Sequence, residues 1–156
     1  MVICGILVDE SRLNDLKAAG VKDSKLLTPE NREKISELIL EIIKDYTIIA
    51  VPASEIDKTL NSPDSNLNWL EADKSAEIIN SLNAERVVMD CPSTNVSAFS
   101  SYVKNLLKDK SVELICEHKA DRNHIEVAAA SILAKVARDR EIEKLKREIG
   151  KDFGSG

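Results

Sequence analysis

Apolar segments of strand length alternate with helically periodic ones along this chain, and that alternation narrows the fold more than any other feature. Val2–Val8 reads as a buried strand, Tyr46–Val51 as a second strand ended by Pro52, and Arg86–Asp90 as a third, rich in Val and stopped before Pro92. Val112–Cys116 reads as the fourth. Glu10–Ala19 is a short amphipathic segment, and Gly20–Lys25 a loop. Thr28-Pro29-Glu30 opens a helix: Thr28 can cap it, Pro29 suits its first position and Glu30 favours its positive end. That helix runs to about Lys44, with Ile35, Leu38, Ile39 and Ile42 on one face. After the turn-prone Asn61–Asn68, a helix near Leu67–Leu82 buries Leu70, Ile78 and Leu82, and Val96–Leu107 is helical. The last helix, Ile125–Ile149, starts small and apolar through Ala128, Ala129, Ala130, Ser131 and Ala134, which suits close packing on a sheet. Its second half carries opposite charges at helical spacing, such as Glu143 with Arg147. Ala128, Ala129 and Ile132 are therefore expected to be buried, and Glu141, Lys144 and Glu148 exposed. The pattern predicts one α/β sheet domain over residues 1–156, and in such sheets the C-terminal ends of strands are the default place for a site.

Composition bounds the function. A 43% hydrophobic and 31% charged chain of 156 residues can bury a core without staples. No apolar run approaches the ~18 residues of a membrane span, and Met1–Val8 has no basic lead-in of the kind a secretory signal carries. Cys4, Cys91 and Cys116 are odd in number and match no zinc spacing, so they read as buried reduced thiols of a cytoplasmic protein. The net charge of −5 counts against a nucleic-acid partner. A local basic face, or cations held by carboxylates, can offset it.

Two carboxylates stand where a site belongs. Asp90 ends Val87-Val88-Met89, and Asp121 lies a few residues beyond Leu114-Ile115-Cys116, just before the last helix. One helix and one strand separate them, so they converge on the same edge of the sheet. Converging carboxylates repel, and a divalent cation is the usual resolution. An all-oxygen set favours Mg²⁺ or Mn²⁺ over zinc. The plainer alternative is an N-cap for Asp121 and a turn residue for Asp90. The residues alone leave both readings open.

Longer strings carry a resemblance. Gly20-Val21-Lys22-Asp23-Ser24-Lys25, Val87-Val88-Met89-Asp90-Cys91-Pro92-Ser93-Thr94-Asn95, Glu117-His118-Lys119-Ala120-Asp121, Ala128-Ala129-Ala130-Ser131-Ile132-Leu133-Ala134-Lys135 and Asp152-Phe153-Gly154-Ser155-Gly156 together resemble ribonuclease HII of the archaeal type, in that family's order and spacing. The resemblance implies a ribonuclease H-like mixed sheet flanked by helices. It implies an endonuclease that hydrolyses the RNA strand of RNA–DNA hybrids, including ribonucleotides embedded in DNA, leaving 5′-phosphate and 3′-hydroxyl ends with two Mg²⁺ or Mn²⁺ ions.

Asp90 and Asp121 match the third and fourth of the family's four acidic metal ligands. The first two belong to a DEAGRG motif on a central first strand, and this sequence contains no such motif. The expectation is a sheet lacking that strand, in a chain shorter than the family pattern at both ends and with little or no nuclease activity by itself. Ser24 and Lys25 would contact the nucleic-acid backbone, the alternative being an ordinary polar loop. His118 and Lys119 would face phosphate, the alternative for His118 being a hydrogen bond to backbone. His124 reads as part of a helix cap, and Trp69 as packing. The implied protein is a cytoplasmic monomer acting on an RNA–DNA hybrid or on a DNA duplex containing ribonucleotides. Its rivals are another ribonuclease H-like nuclease, of resolvase or transposase type, and a non-catalytic fragment.

Overall fold

The structure, a computed structural model, describes residues 1–22 and 24–150, with the side chain of Ile149 left aside. Asp23 and the Asp152–Gly156 string of the resemblance lie outside the described residues. Among the described residues, four strands and seven α-helices follow one another. β1 (Val2–Leu7) leads through a 3₁₀ turn to α1 (Leu13–Ala18), and a second 3₁₀ turn, Ser24–Leu26, leads to α2 (Pro29–Ile42). Then come β2 (Asp45–Ala50), α3 (Ala53–Leu60), α4 (Leu67–Leu82), β3 (Arg86–Asp90), α5 (Val96–Leu106), β4 (Glu113–Glu117), α6 (Ala120–Asn123) and α7 (Ile125–Ile149). Local chemistry sets the helix ends. The Thr28 hydroxyl accepts the Asn31 N–H and Pro29 occupies the first turn of α2. Asn66 accepts two N–H groups at the start of α4, and Asn83 ends it in the left-handed region at φ 50°.

The strands form two ladders. β1 and β2 are antiparallel, from Val2 opposite Ala50 to Leu7 opposite Asp45. β3 and β4 are parallel, with Asp90 in register with Glu117. Among the described residues β1 and β3 are not paired with one another. Helices join the two ladders. α7 packs on both β1 and β3, while α4 packs on β1 and β2 and sends Ala72, Ala76 and Ile79 into a core shared with β3, β4 and α5. At Gly5 the approach of α4 is so close that a Cβ would lie 2.4 Å from Cγ2 of Ile78.

Two apolar clusters result. In one, Ala128, Ala129, Ile132, Leu133 and Val136 of α7 pack with Leu16, Val21, Leu27 and Ile39 against Cys4 and Ile6 of β1. In the other, Phe99 and Val103 of α5 meet the inner face of α4, with Val87, Met89, Leu114 and Cys116 beneath. The faces of α7 fall as expected: Ala128, Ala129 and Ile132 are buried, and Glu141, Lys144 and Glu148 are exposed. Leu70, Ile78 and Leu82 of α4 are buried too.

One expectation needs correction. Leu38 is 43% exposed, and the inner face of α2 instead carries Arg32 and Ser36 beside Ile39. Arg32 can occupy that face because its guanidinium finds oxygen partners there, a condition that apolar periodicity does not register. The helix α3 went unread in the sequence, being one short segment directly after Pro52. No helix among the described residues is long and apolar enough to cross a membrane.

Candidate metal centre

The end of the parallel ladder assembles the site. Asp90 is the last residue of β3, and the ladder continues one step further through a hydrogen bond from the Cys91 N–H to the Glu117 carbonyl, 2.9 Å. After β4 the chain must reverse, and Lys119 does so in the left-handed region at φ 58°. The reversal starts α6, whose first turn holds Asp121, and it aims the Ala120 N–H at Asp90: the Asp90 carboxylate accepts it at 3.3 Å. Asp90 is thus tied to the backbone next to Asp121, at the C-terminal edge of the β3–β4 ladder. His118 donates from Nδ1 to the Cys91 carbonyl at 3.0 Å, the backbone hydrogen bond that was its alternative role. His118 and Lys119 are both exposed beside Asp90.

Further ionisable groups lie at the end of β4 and the start of α7. Glu117 accepts from Asn123 Nδ2 at 2.9 Å and lies 3.1 Å from His124 Nε2, whose other nitrogen faces Glu126 at 3.7 Å. The imidazole therefore sits between the end of β4 and the first turn of α7, a more specific position than a helix cap. From the other side comes Glu71 of α4, which is half-buried. Burial first, and then the negative charge of Asp90, push its carboxyl above the usual range. Glu71 was missed in the sequence although a signal existed: residues 71, 75, 78 and 82 share one stripe of α4, and Ser75, Ile78 and Leu82 are buried. An acid at the head of an apolar stripe is the kind of residue that stripe-reading discards.

Asp90 and Asp121 offer only carboxylate oxygens, a donor set suited to a hard divalent cation. The field at Asp90 is negative enough to disfavour ionisation of a nearby acid. Among the described residues, no three His, Cys, Asp or Glu side chains are grouped closely enough to hold a metal ion. The donors present are thus two carboxylates of the right chemistry rather than a full coordination sphere. Cys4, Cys91 and Cys116 are unpaired; Cys91 is buried as expected, Cys4 and Cys116 only partly so, and burial pushes the Cys4 thiol up to about 12.

The Ser24–Leu26 turn lies against α7. Ser24 is buried, its hydroxyl 3.2 Å from that of Ser131, while Lys25 is exposed. Trp69 packs against Phe99 and Tyr102, as a core ring does.

Helices packed on strands whose carboxylates gather at one edge define a ribonuclease H-like nuclease fold, and solved structures of that class superpose on the whole chain. Ribonuclease H2 from Pyrococcus horikoshii OT3 matches with a TM-score of 0.85 and 38% identity, over 100% of this chain and 80% of that one. The ribonuclease HII in the PCNA complex from Archaeoglobus fulgidus matches with a TM-score of 0.84 and 36% identity, over 99% of this chain and 71% of that one. The family model Ribonuclease HII matches residues 1–156. Ribonuclease HII of Methanothrix thermoacetophila is 38% identical over 156 residues, covering 100% of this chain and 72% of that protein. The chain belongs to the ribonuclease HII family and is a ribonuclease H, an endonuclease acting on RNA in RNA–DNA hybrids.

Proposed function

We propose that Asp90 and Asp121 are metal ligands of this ribonuclease and that Lys25, His118 and Lys119 form its nucleic-acid contact; Ser24, expected to touch the nucleic-acid backbone, is instead buried against α7. The observation that carries this reading is the Ala120 N–H donated to Asp90, which places the two carboxylates on neighbouring backbone at the end of one ladder. Mg²⁺ or Mn²⁺ held there supplies activation of water and charge neutralisation at phosphorus. The remaining work belongs to the chain's own residues. The backbone hydrogen bond to Asp90 and the turn at Lys119 hold the carboxylates in place. His118 is oriented by its bond to the Cys91 carbonyl; Lys119 offers an ammonium donor to phosphate oxygens, and His118 joins it through Nε2 only when both ring nitrogens carry protons. Lys25 faces solvent and meets the nucleic-acid backbone as a point charge. Ser24 contributes by fixing that turn, since its hydroxyl is paired with Ser131.

The substrates are RNA–DNA hybrids and DNA duplexes with embedded ribonucleotides, and the products carry 5′-phosphate and 3′-hydroxyl ends. Residues 1–156 act as one domain, a reading supported by α4 and α7, which both span the two ladders. The protein works as a monomer in the cytoplasm.

The test is end-group mapping on two duplexes in Mn²⁺, one a full hybrid and one a DNA duplex with a single ribonucleotide. The expected products are 5′-phosphorylated fragments from both. Ends bearing 2′,3′-cyclic phosphate would mean that the RNA's own 2′-hydroxyl attacks, and would refute water as the nucleophile.

A further inference from the structure

The turn that presents Lys25 is held from beneath by a buried arginine that the chemistry above does not use. Arg32 lies on the inner face of α2 with its side chain 11% exposed. Its Nη1 donates to the carbonyl oxygens of Ser24 and Leu27, at 3.1 and 3.0 Å. Its Nη2 donates at 3.2 Å to Asp139 on α7, a carboxylate also engaged by Lys135 at 3.0 Å. Both ends of the Ser24–Leu26 turn are therefore fastened through one guanidinium to α7, and the Ser24–Ser131 contact adds a second fastening. α7 is also the helix that leaves the Asp121 turn, so a single rigid element fixes the loop relative to the candidate metal centre.

The arrangement is costly. Arg32 Nε is buried without a hydrogen-bond partner, and an unmet donor on a buried cation opposes folding. A planar fork can meet two carbonyls and a carboxylate at once, whereas a lysine offers one nitrogen on a flexible stem.

We propose that Arg32 is a positioning residue for nucleic-acid binding: by fastening the Ser24–Leu26 turn to α7 it fixes where Lys25 meets the phosphate backbone. The inference rests on the reading of Lys25 as a backbone contact, so its test separates the two. Affinity for a fluorescein-labelled RNA–DNA hybrid is measured by anisotropy on the full chain in metal-free buffer, which makes the result independent of turnover. The proteins compared are the unsubstituted chain, Lys25→Ala, Arg32→Gln, Arg32→Lys and the Lys25→Ala/Arg32→Gln pair.

Lys25→Ala is expected to weaken binding about three- to tenfold and to lower the salt dependence by about one phosphate contact. Arg32→Gln should weaken it by a similar factor, Arg32→Lys should not restore it, and the pair should lose no more than either single variant. That non-additivity is the signature of action through Lys25. A purely structural role would multiply the two losses, which overturns the proposal and leaves the loop contact standing. Undiminished binding in Arg32→Gln beside a weakened Lys25→Ala has the same meaning. An unchanged Lys25→Ala, or an unsubstituted chain that does not bind, overturns the loop contact and this inference with it. If Arg32→Gln does not fold, Asp139→Asn, which removes the charge that holds Nη2 and Lys135 but leaves both carbonyl bonds of Nη1, takes its place under the same criteria.

Discussion

Glu71 shows how a half-buried acid reports on an exposed one beside it. Its raised pKa means that the folded state binds its proton more tightly than the unfolded chain does. Stability from this group is full below the ordinary carboxylate pKa and is lost as pH rises through the raised folded value. Glu71→Gln, which mimics the protonated form, should melt with the unsubstituted protein at the acid end and a few degrees above it near pH 7. Melting curves across pH check this, and a Gln variant less stable at neutral pH would show that the charged form has a partner. The placement of Asp90 and Asp121 beside one another at the end of the β3–β4 ladder was legible in the sequence because strand-end carboxylates are a pattern with a chemical reason. Glu71 and Arg32 were not, because each sits on an inner helix face, where apolar periodicity assigns hydrocarbon. Arg32 is tolerated there through carbonyls eight and five residues away and a carboxylate 107 residues away, which no local window contains.

Among the elements, the contact of α4 with β1 is the most exacting. A methyl group at Gly5 meets Cγ2 of Ile78, an atom next to the helix backbone that cannot swing aside. Gly5→Ala should cost about 1–3 kcal/mol, read from denaturant unfolding. Gly5→Ala with Ile78→Ala should cost less than the sum of the two single changes, because the smaller side chain makes room. Strict additivity would mean that α4 shifts as a body. The long helices were legible: α4 and α7 appear within a residue or so of their expected bounds. The short ones were not. α3 and α6 span eight and four residues, too few for a helical period to declare itself. α6 exists because Lys119 takes a left-handed turn that places the Ala120 N–H on Asp90. That is a tertiary cause, and it is also why the detailed geometry of the site could not be read from spacing.

For the molecule as a whole, two ladders and two apolar clusters are bound together by α4 and α7. Trp69 is the single tryptophan and sits beside the α4–α5 cluster, so its fluorescence reports that half alone. One cooperative domain requires that Trp69 fluorescence and far-ultraviolet dichroism give the same unfolding midpoint. Separated midpoints would show that the α7 half and the α4–α5 half unfold independently. The net charge of −5 no longer counts against a nucleic-acid substrate, because the family acts on RNA–DNA hybrids; the proposed contact uses a few basic side chains and cations held by carboxylates. The most direct test of that assignment is calorimetric titration of Mn²⁺ into the protein, into Asp90→Asn and into Asp121→Asn. Each substitution should weaken Mn²⁺ binding by at least about tenfold, the lower bound for losing even an outer-shell partner of a metal, while circular dichroism stays unchanged. Titration curves that superimpose on the parent's would contradict the metal-site reading and leave Asp90 as a strand-end residue and Asp121 as an acid in the first turn of α6, which is where the structure has it rather than at the N-cap.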